Sequence, residues 1–244
     1  MRRLLPDQAD DVDLDEAYAI PDPHRRHVRA NFISSADGAA EVGGRSGGLS
    51  TDADHRVFSV LRGHCDAVLV GATTARREGY GPARPSAARR EWRQEHGLSP
   101  VPPLVVVTSR VELDLETAFF TEAVSRPVIL TTDAAPAERR RQAAAVAEVV
   151  TSGNTMVDMG TALEALAERG LMHVLCEGGP HLFGQLAMAG LLDELCLSLA
   201  PVLAGADHLR IIGGPELGKP VELELAHVLT AEGTLFLRYV VSHT

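Results

Sequence analysis

From Val28 onward the chain repeats one texture: short runs of Val, Ile and Leu separated by stretches whose apolar residues recur at helical spacing. That alternation is the pattern of an α/β domain, in which strands form a sheet and the intervening helices cover it. The strands read as Val28–Ser34, Ala67–Gly71, Leu104–Thr108, Pro127–Thr131, Glu148–Thr151 and His173–Cys176. A later group, Glu194–Pro201, Leu209–Ile212, Glu222–Thr230 and Thr234–Val241, completes the sheet. Ser50 or Thr51 caps a helix ending near Gly63, and 137–147, 158–169 and 181–189 follow, the last two stopping at Gly170 and Gly190. Ala231-Glu-Gly233 reads as a hairpin connection, so the sheet should be mixed, mostly parallel, with an antiparallel C-terminal hairpin.

Two regions break the texture. Residues 1–27 carry Asp7, Asp10, Asp11, Asp13, Asp15 and Glu16 among three prolines, which predicts an acidic N-terminal extension with at most a short helix and a poor start for a core. The domain proper is then expected over 28–244. Gly79–Pro103 is a proline-flanked insertion around a polar helical piece, Ser86–His96, where Arg89, Arg90 and Arg93 outnumber Glu91 and Glu95. Such an insertion fits either a functional segment, a lid or a binding loop, or a solvated surface helix.

The formal charge of −10 argues against a nucleic-acid partner. No apolar run approaches the ~20 residues that cross a bilayer, so no membrane is expected. The three cysteines, Cys65, Cys176 and Cys196, lie far apart in aliphatic stretches, as buried thiols of a reducing, cytoplasmic compartment. The histidines are scattered without metal-ligand spacing, so no metal is expected.

Two motifs nearly match and fail on context. Gly213–Pro220 has the spacing of a phosphate-binding P-loop, but Pro220 stands where a hydroxyl should meet Mg²⁺ and a β-rich segment follows. Gly44-Arg-Ser-Gly-Gly48 matches the GxSxG nucleophile elbow, yet no hydrophobic strand leads into it. A hydrolase reading with Ser46 as nucleophile and a base such as His227 stays open beside a flexible glycine loop. The GxGxxG dinucleotide fingerprint is absent.

The strongest site candidate is Leu171–Gly184: a buried strand, Glu177 at its carboxyl end, then Gly178 and Gly179, then Pro180 at a first helical position. The free N–H groups of such a helix start favour a phosphate, and the glycines let it approach the backbone. Two further strand ends, Arg29–Gly38 and Val68–Glu78, close in small polar groups, hydroxyls and charges. Ends of this kind in one sheet converge on one crevice, the usual ligand site of an open α/β fold.

Ser35-Ala-Asp-Gly38, Leu61-Arg62, Asp66–Arg76, Glu177-Gly-Gly-Pro180 and Leu191–Leu195 followed by Ala200-Pro201 together resemble the reductase domain of riboflavin biosynthesis, over residues 28–241. The resemblance implies a three-layer, dihydrofolate-reductase-like fold. It also implies an NADPH-dependent homodimer resembling 5-amino-6-(5-phosphoribosylamino)uracil reductase, which transfers a hydride to a ribosylaminopyrimidine or a related small heterocycle. Carried onto this chain, it places substrate near Ser46, Arg62 and Glu177, and NADPH near Gly48, Thr74, Ser109 and the run Gly179–Gln185. Within that frame we assign Asn31 and Ser35 to the substrate, and Asp37 with Glu177 to the chemistry. The cofactor set gains Gly71, Arg76, Glu78, Gly178, Pro180, His181, Leu182 and Phe183. Arg110, after the strand Leu104–Thr108, is the cation for the cofactor 2′-phosphate, and Arg62 suits a ribose phosphate.

One departure stands out. The family places an Asp-Asn-Pro segment and an arginine after the Thr-Thr-Ala-Arg turn; this chain has Glu78-Gly-Tyr-Gly-Pro82, with Arg84 near the expected arginine. The departure keeps open a non-catalytic nucleotide-binding module of the same fold. The zinc-ligand patterns of the deaminase often fused ahead of this reductase are also absent.

Overall fold

The computed structural model describes residues 1–205 and 208–242 of the 244-residue chain. The last two residues of the domain expected over 28–244 lie outside this set. The elements run in order as β1 (Arg2–Leu5), α1 (Leu14–Ala17), β2 (His27–Ser35), α2 (Asp52–His64), β3 (Ala67–Gly71), α3 (Ala72–Glu78), α4 (Ala87–Glu95), β4 (Leu104–Val107) and α5 (Ala118–Thr121). They continue as β5 (Val128–Thr131), α6 (Ala137–Ala144), β6 (Glu148–Thr151), α7 (Met159–Ala167), β7 (His173–Cys176), α8 (Pro180–Met188), β8 (Glu194–Ala200), β9 (Leu223–Ala231) and β10 (Thr234–Val241).

All ten described strands form one sheet in the order β1-β9-β10-β8-β2-β7-β3-β4-β5-β6. From β8 through β6 every pairing is parallel, and β10, β9 and β1 add antiparallel strands at one edge. Val68, Leu69, Val105 and Ile129 are essentially inaccessible, as required of parallel strands covered on both faces. One core packs Val57 and Leu61 of α2, Phe119 of α5 and Ala143 of α6 against the sheet; the other packs Leu163 and Leu166 of α7 with Leu182 and Leu186 of α8. Helix, sheet, helix are the three layers expected.

The structure corrects two readings of the sequence. The acidic segment 1–27 contributes to the core: β1 pairs with β9, Tyr18 is 1% exposed, and Arg238 donates to the Ala17 carbonyl at 2.8 Å. Leu209–Ile212 is not a strand. It is an irregular cover whose Leu209 carbonyl accepts from Ala40 N–H at 2.7 Å, and whose continuation, Gly213, packs on α8 so closely that a Cβ on Gly184 would meet its oxygen at 2.2 Å.

The insertion divides: its first residues, Gly79–Pro82, line a cavity at the carboxyl ends of the parallel strands, and its helix lies on the surface but is anchored by one buried arginine. The Arg93 guanidinium of α4 is completely buried and donates to the carbonyls of Arg62, Gly63 and Cys65 at 2.7–2.9 Å and of Ser99 at 2.6 Å. It closes the C-terminus of α2, where backbone carbonyls have no helical partner. Arg89 adds an ion pair to Asp15, and His64 stands edge-on to Trp92. Burial lowers the pKa of Arg93, so this cap holds its charge at some cost.

Candidate active site

The carboxyl ends of β2, β3 and β7 open into a cavity of about 410 Å³, walled on one side by α2 and on another by the start of the insertion. Glu177 lies at its floor. Its backbone N–H donates to Leu69 O at 2.9 Å, which continues the β7–β3 pairing by one residue and fixes where the side chain emerges. The Arg62 guanidinium grips this carboxylate as a fork, Nε to Oε1 and Nη2 to Oε2, both at 2.7 Å, and the Tyr80 hydroxyl donates to Oε2 at 2.7 Å. Arg62 also lies over the Phe58 ring, 4.3 Å from its centroid.

The Glu177 side chain is 2% exposed and that of Arg62 26%, so this pair is largely out of water and strongly coupled. Burial opposes the Arg62 charge, but the facing carboxylate outweighs it and holds the guanidinium above its usual pKa. Burial, reinforced by the same carboxylate, pushes the Tyr80 phenol well above its ordinary value. Tyr80 therefore acts as a neutral donor at physiological pH.

Beside the pair, β7 runs into α8 through Gly178 and Gly179. Gly178 carries φ +87° and its oxygen accepts from Gly71 N–H at 2.7 Å. A Cβ on Gly178 would press on the Phe32 ring at 3.0 Å, and one on Gly179 would strike Thr74 Oγ1 at 2.2 Å. Glycine is needed at both places. No side chain caps α8, and Pro180 holds its first position. The first-turn N–H groups of α8 thus have no side-chain partner. Leu182 and Phe183 are buried, and the Phe183 N–H already donates to Gly179 O at 3.0 Å, whereas His181 is exposed.

The cavity is lined by eight of the residues singled out by sequence. Asn31, Ser46, Arg62 and Glu177 line it, as do Thr74, Glu78, Gly179 and Pro180. Glu78 accepts from Ser46 N–H at 3.0 Å, which ties the glycine loop to the end of α3; the Thr-Thr-Ala-Arg turn is the body of that helix. Gly48 sits one residue from the wall, packed on Val42.

Others stand apart. Ser35 and Asp37 bond to each other, Ser35 Oγ accepts from Ala39 N–H, and Asp37 accepts from the N–H groups of Ala204 and Gly205. These bonds, the Ser35 hydroxyl first, hold the Asp37 carboxyl at about 2 and fasten a loop. Arg76 is exposed outside the cavity, and its neighbour Arg77 lines it, paired with Glu41 at 2.8 Å. Ser109 and Arg110 are exposed beyond β4, where Ser109 O accepts from Thr132 Oγ1. Arg110 has no ion pair among the described residues.

With His227 as the base, the hydrolase alternative fails on geometry. His227 is buried on β9, edge-on to Tyr18 at 5.0 Å, and does not line the cavity that holds Ser46. Tyr80, Asp54 and Phe58 are cavity residues that sequence reasoning missed; only the helical spacing of Asp54, Phe58 and Arg62 along α2 could have signalled the last two.

The family model described as the RibD C-terminal domain matches residues 26–237. The chain belongs to this family. A relative from Archaeoglobus fulgidus, named 2,5-diamino-6-ribosylamino-4(3H)-pyrimidinone 5′-phosphate reductase, is 31% identical over 82% of this chain and 92% of its own length. One of the same name from Methanothermobacter thermautotrophicus is 28% identical over 89% of this chain and 99% of its own length. Among solved structures, a pyrimidine reductase-like protein from Corynebacterium diphtheriae superposes with a TM-score of 0.85 at 27% identity, covering 96% of this chain and 100% of the other. The riboflavin biosynthesis reductase Rib7 of Saccharomyces cerevisiae shares the fold, with a TM-score of 0.65 at 16% identity over 93% of this chain and 95% of that one. The reductase resemblance read from the sequence and the family agree.

Proposed function

We propose that this RibD-family chain reduces 2,5-diamino-6-ribosylamino-4(3H)-pyrimidinone 5′-phosphate, the compound for which its curated relatives are named, with NADPH as donor. The observation that carries the reading is the meeting, in one cavity, of the uncapped α8 start behind Gly178 and Gly179 with the buried Arg62–Glu177 pair. The glycine turn fits a dinucleotide pyrophosphate, since it leads into a helix start that no side chain caps and whose backbone N–H groups favour an anion. Arg110 and Arg76, both exposed cations without an ion pair among the described residues, suit the extra 2′-phosphate of NADPH. Bound there, the nicotinamide supplies the hydride.

The chain's own residues do the rest. Gly71, Thr74 and the α8 start orient the donor, and the cavity walls hold the acceptor within reach and exclude water. Glu177, fixed by Arg62 and Tyr80, accepts from substrate hydroxyl or amino groups once the fork loosens. That Arg62 is engaged by Glu177 speaks for a shared polar floor in place of a free phosphate-binding arginine. Asp37 serves its loop and is left out of the chemistry. We further propose a cytoplasmic homodimer built on the later part of the sheet, where Leu223 and Leu225 are 40% and 41% exposed beside half-buried Leu197 and Leu199. A scattering mass near 26 kDa, the size of one chain, would remove the dimer.

The test follows NADPH absorbance with the diaminopyrimidinone ribosyl phosphate, in parallel with NADH. Substrate-dependent oxidation of NADPH is expected. Equal affinity for NADH would remove the 2′-phosphate site. Nucleotide binding without oxidation would favour the non-catalytic module, the reading that the Tyr80 departure keeps alive.

A further inference from the structure

The cavity contains one charged side chain that the reduction, as derived so far, leaves idle. Asp54 lies in the first turn of α2, and Phe58 and Arg62 follow at intervals of four. The three therefore share one helix face, a carboxylate, a ring and a guanidinium in a row about 12 Å long. All three line the cavity. Asp54 is only 9% exposed, and its backbone N–H donates to Thr51 Oγ1 at 3.2 Å. Its carboxylate, however, has no hydrogen bond or ion pair among the described residues. The other carboxylates of the cavity are engaged: Glu41 by Arg77, Glu78 by Ser46 N–H, Glu177 by Arg62 and Tyr80.

A carboxylate that has no protein partner at a cavity wall is open to the donors that a ligand brings. What those donors look like follows from geometry. Two carboxylate oxygens accept two parallel N–H bonds most favourably from a planar group that carries adjacent N–H donors, as in an Arg fork. Phe58, one turn along, offers a face against which such a planar ring can lie.

We infer that Asp54 is the specificity residue for the pyrimidine, accepting from the ring N3–H and the 2-amino group of a 2-amino-4-oxopyrimidine while Phe58 covers the ring. A uracil presents N3–H beside a C2 carbonyl, which sets one oxygen against another. The 2-amino compound is therefore preferred over its 2-oxo counterpart. This inference rests on the reductase reading of the cavity and deepens it, since it names the edge of the substrate that is read.

Calorimetric binding of two free bases, 2,5,6-triaminopyrimidin-4-one and 5,6-diaminouracil, tests it in the wild type and in Asp54→Asn. The wild type should bind the 2-amino base at least tenfold more tightly, as expected for a charge-assisted bond gained against a repulsion. Asp54→Asn, which can turn either amide atom to the ligand, should bring the two within about threefold. Its ligand-free melting temperature should not fall, because the carboxylate has no partner to lose. Equal binding of both bases by the wild type, binding of neither, or a preference that survives in Asp54→Asn overturns the assignment. Asp54→Ser replaces the Asn variant if the latter does not fold. Base selectivity without NADPH oxidation by the ribosyl phosphate would sink the reductase reading and leave Asp54 standing, and oxidation without selectivity would do the reverse.

Discussion

Replacing Arg93 by Met tests whether the insertion is a structural clamp. The side chain keeps its apolar length but removes four donated bonds, three of them to the last-turn carbonyls of α2. Each buried carbonyl left without a donor costs about 1–3 kcal/mol. Part of that returns, because a fully buried guanidinium with one nitrogen already unpartnered no longer has to be desolvated. A net loss of about 3–5 kcal/mol remains, which for a domain of this size lowers the melting temperature by roughly 6–20 °C. Because Arg62 sits in the same turn of α2 and grips Glu177, the KM for substrate should rise in the surviving folded enzyme. Arg93→Lys should recover only part, since an ammonium cannot reproduce the planar fork. Scanning calorimetry with steady-state kinetics on the three proteins measures both effects. A melting temperature within about 2 °C of wild type for Arg93→Met would refute the clamp and return α4 to the status of a solvated helix.

Tyr80→Phe removes one hydroxyl from Glu177 and leaves the Arg62 fork, so kcat/KM should drop about tenfold to a hundredfold with a normal circular dichroism spectrum. Gly179→Val drives carbon into Thr74 Oγ1 and displaces the start of α8, and NADPH affinity measured by fluorescence should fall more than tenfold. His64 and His227 are held at about 4 by burial, aided by the positive charge of Arg29 at the first and of Arg238 at the second. Both stay neutral in the folded chain while the unfolded chain takes up protons near pH 6.5, so melting temperature should be flat above pH 7 and decline from about 6.5 toward 4. His227→Gln should flatten that decline, and an unchanged slope would contradict it.

The parallel strands were readable because a run such as Ala67-Val-Leu-Val-Gly71 is apolar on both faces and flanked by clear turn residues. The same rule misled at Leu209–Ile212, where a short apolar run covers α8 instead of pairing. β1 escaped notice because an edge strand beginning Arg2-Arg3 exposes one side to water and carries little apolar signal. Arg93 was taken for surface because periodicity counts every arginine as polar, while this one is buried by the carbonyls it serves. At the site, Glu177 and Arg62 were legible from the end of a buried strand and from the family resemblance. Their mutual fork was not, since 115 positions separate them and only the fold brings them together.

The pairing of β1 with β9 joins Arg2 and Arg3 to Thr230 and Leu229. β1 therefore leaves the ribosome more than 200 residues ahead of β9, and until then its edge partner does not exist. β2 waits as well, for β7 at its one side and β8 at the other. Contacts this distant in sequence slow folding and lengthen the time that apolar edges stay open. Completion of the sheet is thus a late event in the folding of this domain, and removal of the β9–β10 hairpin would strand β1 together with the ring of Tyr18.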